Sequence, residues 1–227
     1  MSATTIPARF AEAFGEWTPR AIVFDCDGLL LDTESVWQRT EDRVVADHGA
    51  QLREGDADVL HGATIEVAAE LIARRSGHSE QEILDDLHRV FADELGTGMR
   101  TMPGAPEILA LAGERVPLGC ASNSWLASLE DKLVRGGLRE HFTVLEASDT
   151  VARPKPAPDM YAAAARALGA EPSEVLAFED SGTGAQSARD AGLRLIAVPT
   201  PGFSAPPADL ALSSLTDPEL AQWIRTW

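Results

Sequence analysis

Two acids one residue apart, followed by a glycine, end an apolar run: Ile22-Val23-Phe24-Asp25-Cys26-Asp27-Gly28. Carboxylates this close repel each other unless a cation or a shared proton lies between them. The pair suggests a metal-assisted site with a carboxylate nucleophile at hand. The plain alternative is a strand end followed by an Asp-Gly turn. A calcium loop of the EF-hand type does not fit. Its fifth and twelfth positions would be Leu29 and Val36, neither of which offers a side-chain oxygen.

Three more groups could carry chemistry, two of them at the ends of apolar runs. The stretch V-P-L-G-C-A leads into Ser122-Asn123-Ser124, ahead of a helical pattern. A hydroxyl and backbone N–H groups at a helix N-terminus can hold a phosphate oxygen, although an ordinary N-cap serine reads the same way. Arg153-Pro154-Lys155-Pro156 presents a lysine between two prolines, with little backbone freedom. Lys132 and Lys155 are the two lysines of the chain, against seventeen arginines. Each raises the question of why an ammonium point charge was kept. Finally V-L-A-F ends in a second acid pair, Glu179-Asp180, followed by Ser181-Gly182-Thr183-Gly184. A dinucleotide-binding loop would need a third glycine where Ser187 stands. It would also need an acid about twenty residues on, where Thr200 and Pro201 stand.

The elements that must position these groups alternate. Strand-like runs at Ala21–Phe24, Val116–Cys120, Thr143–Leu145, Val175–Phe178 and Leu195–Val198 are separated in the later part by helical stretches at Ser124–Arg135, Asp159–Leu168 and Gly184–Ala191. This predicts an α/β fold, a Rossmann-like parallel sheet with crossover helices. Acids at the C-terminal ends of such strands stand where open α/β sheets bind ligands. Residues 34–102 differ: Val36–His48, Ile65–Arg75 and Glu80–Leu95 show helical periodicity without convincing strands. They are expected to form a small all-helical cap inserted into a catalytic core of residues 1–33 and 103–227. After the proline-rich stretch Pro199–Pro207, a last short strand and helix are expected.

Composition narrows the partners. At 227 residues and 44% apolar content, there is ample material for one large core plus an insert. A net charge of −17 argues against nonspecific nucleic-acid or anionic-membrane binding. Cys26 and Cys120 form no disulfide framework and no zinc spacing, and suit buried thiols in a reducing compartment. Residues 1–20 lack the basic start and apolar core of a signal peptide. No apolar run approaches the roughly 18 residues a membrane span requires. A soluble cytoplasmic protein, monomer or weak homodimer, is expected.

Together, Asp-Cys-Asp-Gly at 25–28, Ser-Asn-Ser at 122–124, Arg-Pro-Lys-Pro at 153–156 and Glu-Asp-Ser-Gly-Thr-Gly at 179–184 resemble the four motifs of the haloacid dehalogenase superfamily. The resemblance spans essentially the whole chain. A second aspartate in the first motif points to the phosphotransferase branch rather than to dehalogenation. The helical insert is similar to the cap of the subgroup that includes phosphoglycolate phosphatase, sugar phosphatases and β-phosphoglucomutase. The resemblance implies that Asp25 attacks phosphorus to form an aspartyl-phosphate. It implies that Asp27 first protonates the leaving alkoxide and then deprotonates water. Mg2+ would be held by Asp25, the backbone carbonyl of Asp27 and Asp180, with Glu179 nearby or ligating. Ser122, the Asn123 amide and Lys155 would balance the phosphoryl charge.

The same resemblance separates hydrolase from mutase. β-Phosphoglucomutase carries a histidine twelve positions after its nucleophile, where Trp37 stands here. Its cap-loop lysine and arginine align with His61 and Ile65. Without the arginine, the grip on a second phosphate is missing. This favours hydrolysis of a small phosphate monoester, a phosphosugar or phosphorylated polyol being the first expectation. A phosphosugar mutase is the alternative, and a catalytically silent phospholigand-binding protein the remote one. Trp37 is either an apolar floor for the leaving group or a core residue, while His61 and Thr64, beside Gly62, are candidates for substrate contact.

Overall fold

The computed structural model describes residues 5–60, 65–200 and 204–227. Their contacts divide the chain into two compact units. One is Met1–Leu31 with Thr101–Trp227, and the other is Asp32–Arg100. The second begins and ends two residues earlier than the 34–102 expected.

The first unit is built on six parallel strands: β1 (Ala21–Phe24), β2 (Leu118–Ser122), β3 (Val144–Ala147), β4 (Val175–Glu179), β5 (Arg194–Ala197) and β6 (Leu210–Ala211). They lie in the order β3-β2-β1-β4-β5-β6. Every residue of β1, β2 and β4 is buried, as expected of central strands covered on both faces. Ala21 and Val23 face one side, with Met160, Tyr161 and Ala164. On β1 and β4, Phe24 and Phe178 are register partners, and their rings stack at 4.9 Å. From β1 the chain builds outward through β2 to β3, then crosses back to add β4 on β1's other side. Such a reversal leaves a crevice at the strands' C-terminal ends.

Helices α1 (Ala8–Phe14) and α6 (Ala105–Gly113) belong to this unit, as do α7 (Leu126–Arg135), α8 (Asp159–Ala167), α9 (Gly182–Asp190) and α10 (Pro218–Ile224). Phe10 and Phe14 lie one turn apart on α1. Both stack on Trp223 of α10, at 4.8 and 4.9 Å, which pins the two ends of the chain together.

The second unit is helical: α2 (Thr33–Asp47), α3 (Asp56–Leu60), α4 (Ile65–Ser76) and α5 (Glu80–Gly98). Ile83, Leu87 and Val90 recur at helical spacing and are fully buried against Ala68, Ala69 and Ile72. Asp32 and Ser79 cap α2 and α5, accepting from the N–H groups of Ser35 and Glu82 at 3.2 Å. No helix among the described residues is long and apolar enough to cross a membrane.

Candidate active site

All four sequence motifs meet at the C-terminal ends of β1, β2 and β4. Asp25 follows β1 directly and its N–H still donates to Phe178 O at 3.0 Å, so its backbone is held in the sheet ladder. The chain then turns tightly, with the N–H groups of Leu30 and Leu31 both donating to Cys26 O at 3.0 Å. Gly28 sits in this turn at φ 82°, and a Cβ there would lie 2.2 Å from Asp180 Oδ2. Glycine is needed for both the conformation and the close approach.

Lys155 is the cationic centre. Its Nζ donates to Asp25 Oδ1 at 2.6 Å, Glu179 Oε1 at 2.5 Å and Ala121 O at 2.9 Å, and lies 4.9 Å above the Tyr161 ring. Burial alone would lower its pKa. The Asp25 and Glu179 carboxylates outweigh that and keep it charged. Asn123 fixes the lysine's backbone from both sides: its Oδ1 accepts from Lys155 N–H at 2.9 Å, and its Nδ2 donates to Lys155 O at 3.1 Å. Glu179 is fully buried, and both of its oxygens are used. The Tyr161 hydroxyl donates to Oε1 at 2.7 Å, and the Ser181 hydroxyl to Oε2 at 3.1 Å.

Asp27 is held by a different set. The Ser122 hydroxyl donates to its Oδ2 at 2.8 Å and that of Ser124 to the same oxygen at 3.3 Å, while Lys132 pairs with Oδ1. Lys132 reaches in from α7, is 3% exposed, and also donates to Ser124 Oγ at 2.7 Å. Its burial favours the neutral amine, but the Asp27 charge overrides this and holds the ammonium above its ordinary pKa. The two lysines thus divide the first acid pair, Lys155 serving Asp25 and Lys132 serving Asp27.

The donor chemistry fits a hard divalent cation. Asp25, Glu179 and Asp180 each offer a carboxylate oxygen, all within 4.8 Å of one another. Burial pushes Asp25 well up, against the pull of Lys155, and pushes Asp180 up to about 6 despite a hydrogen bond from Thr200 at 2.8 Å. An all-oxygen set whose carboxylates resist ionising alone is what Mg2+ binding would stabilise. With both Glu179 oxygens engaged on Lys155, Tyr161 and Ser181, Asp25 and Asp180 are the better placed ligands.

Gly184, on the first turn of α9, explains how Glu179 fits. A Cβ there would lie 1.8 Å from Glu179 Oε1. Gly184→Ala should lower stability by about 1–3 kcal/mol through overpacking, because the carboxylate it displaces is the one anchoring Lys155. Thermal melting of the variant checks this, and an unchanged melt would show that Glu179 has room to move.

Of the residues singled out in the sequence, Asp25, Asp27, Ser122, Asn123, Lys155, Glu179 and Asp180 converge here. Trp37 lies in the helical unit, edge-on to Phe91 at 5.6 Å and packed on that unit's core. His61 and Thr64 lie outside the described residues. Three contributors were not anticipated: Lys132, Tyr161 and Thr200. The scarcity of lysine was the one available signal for Lys132.

The haloacid dehalogenase-like hydrolase family model matches residues 22–198. Hexitol phosphatase B of Escherichia coli K12 is 35% identical over 215 residues, covering 88% of this chain and 96% of that protein. Solved relatives include CbbY from Rhodobacter sphaeroides in complex with phosphate, at 30% identity and a TM-score of 0.67, covering 88% of this chain and 96% of that one. A family hydrolase from Deinococcus radiodurans R1 with bound phosphate and sodium is 29% identical with a TM-score of 0.73, covering 87% and 92%. With four motifs converging on one crevice and a family match over most of its length, this chain belongs to the haloacid dehalogenase-like hydrolases.

Proposed function

We propose that the chain is a Mg2+-dependent phosphatase of small phosphate monoesters, sugar or polyol phosphates foremost, acting through an aspartyl-phosphate on Asp25. The observation that carries this reading is the division of labour between the two acids: Asp25 beside Lys155 and Asp180, Asp27 two residues on with its own donors. The substrate class rests on the relative named for hexitol phosphates.

In this account an Asp25 carboxylate oxygen attacks phosphorus as the ester P–O bond breaks. The departing alkoxide takes its proton from Asp27. Asp27 then takes a proton from water, whose oxygen attacks the same phosphorus. The P–O bond to Asp25 breaks, and orthophosphate leaves. Lys155 and the Ser122–Asn123 segment stabilise charge spread over the phosphoryl oxygens. Mg2+, held by Asp25, Asp180 and the Asp27 carbonyl, would supply further positive charge against those oxygens.

Lys132 holds Asp27 by one carboxylate oxygen and so orients the group that gives a proton to the alkoxide and later takes one from water. Lys132→Met should therefore lower kcat by about 10- to 100-fold, part of what a general acid–base group contributes, with KM changed much less. Steady-state hydrolysis of p-nitrophenyl phosphate reads this, and a wild-type kcat would remove Lys132 from the mechanism.

Phosphate release from a panel of sugar, polyol and aryl phosphates, with Mg2+ and with EDTA, tests the proposal. Release that needs Mg2+ and concentrates on one or two polyol or sugar phosphates supports it. No release, or release unaffected by EDTA, overturns it. The pH dependence has a definite sign. Asp180 titrates near 6 in the metal-free fold, above its ordinary value, so metal-free stability should fall as pH rises from about 4 to about 6. Below pH 6 Mg2+ must displace that proton, and any on Asp25, so its affinity should drop by at least about tenfold per pH unit. Mg2+ titrations of activity at pH 5 and pH 7.5 check this, and equal affinities would contradict it.

A further inference from the structure

In the helical unit, apart from the site described above, two histidines and two acids cluster where α2 ends and α5 begins. His48 follows α2, while His78, Glu82 and Asp86 recur every four residues along one face leading into and along α5. The two imidazoles stand edge to face with ring centres 4.6 Å apart. His48, His78 and Glu82 each offer a ligand atom, all within 4.8 Å of one another. We propose that these three residues bind a first-row transition-metal dication of the Zn2+ type, with Asp86 orienting His48.

The geometry distinguishes this cluster from a chance patch of surface charge. His78 Nδ1 and Glu82 Oε2 are 3.2 Å apart, a hydrogen bond from the ring N–H to the carboxylate whose proton the metal would displace. Adjacent ligands on a tetrahedral centre with bonds of about 2.0–2.1 Å stand roughly 3.3 Å apart. The remaining contraction falls to His78 and Glu82, whose side chains are 42% and 52% exposed and able to move. His48 is the fixed member, its side chain 9% exposed.

Asp86 Oδ2 lies 2.7 Å from His48 Nε2. A carboxylate only accepts, so the proton belongs on Nε2 and the ligating lone pair on Nδ1. This carboxylate–histidine pairing is the usual support for a metal-binding imidazole. Arg89 in turn holds the other Asp86 oxygen, at 2.6 and 2.9 Å.

Ligand type selects the metal. Two imidazoles and one carboxylate suit zinc, nickel or copper, whereas Mg2+ prefers an all-oxygen set such as Asp25 and Asp180. The N-terminal end of α5 opposes a cation weakly, but Glu80 and Glu82 in its first turn oppose that field. A bound ion would tie the end of α2 to the start of α5.

Calorimetric titration of the metal-free full chain with Zn2+, in excess Mg2+, tests the site. Wild type should take one equivalent with micromolar affinity that His78→Ala and Glu82→Gln lose or weaken by at least about tenfold. Both positions are exposed, so each variant should keep the wild-type circular dichroism melt in the absence of zinc. Equal stoichiometry and affinity in wild type and both variants, or no zinc uptake by wild type, would overturn the proposal. Neither result depends on the chain being a phosphatase.

Discussion

Asp25→Asn should reduce phosphate release by about four orders of magnitude or more, in the range seen when a covalent nucleophile is removed. An amide is a poor nucleophile, and no other carboxylate replaces it. Asp27 is committed to Ser122, Ser124 and Lys132, while Glu179 is fully buried with both oxygens occupied. The fold should survive, because Asn is isosteric and can keep an oxygen on Lys155. Phosphate release alongside a circular dichroism melt separates the two effects. Residual turnover within tenfold of wild type would exclude Asp25 as nucleophile.

Lys155→Met should lose both activity and stability. Lys155 is buried and bridges two buried acids, so its removal leaves Asp25 and Glu179 facing each other without a counter-ion. Breaking a buried pair on one side costs about 3–5 kcal/mol. Some of that will be relieved by protonation, since burial already pushes Asp25 upward. Loss of the positive charge beside the transferring phosphoryl should lower kcat by about 10²–10³-fold, as for other fixed electrostatic donors. Denaturant unfolding and kinetics on the same preparation check the pair. A stable, inactive variant would confine Lys155 to catalysis, and a stable, active one would contradict both roles.

The contrast between the two lysines shows what a linear sequence reveals. Strand ends were legible because Phe24 and Phe178 each abut an acid, so apolar runs and chemistry meet at one point. Lys155 was legible through its flanking prolines. The strand expected from Val116 starts at Leu118 instead, as Pro117 has no N–H to give the ladder. Helices α1 and α6 were not anticipated. α6, Ala-Pro-Glu-Ile-Leu-Ala-Leu-Ala-Gly, has almost no polar face to set a period, and α1 is short, with Phe10 and Phe14 as its buried pair.

Contacts between distant residues were harder to see. Lys132 meets Asp27 across 105 positions, and Tyr161 meets Glu179 across 18, from helices whose exposed residues look ordinary. Asn123 was expected to act through its amide. Its side chain also locks the Lys155 backbone, a role visible only once the two loops are adjacent.

The central claim is that phosphorus passes through Asp25. Rapid-quench turnover of a 32P-labelled polyol phosphate with Mg2+, followed by mapping of the labelled peptide, tests it most directly. The account predicts transient, acid-stable label on the peptide containing Asp25, formed before orthophosphate appears and absent from Asp25→Asn. Label on another residue, or orthophosphate released in a single turnover with no labelled protein at any time, would contradict it.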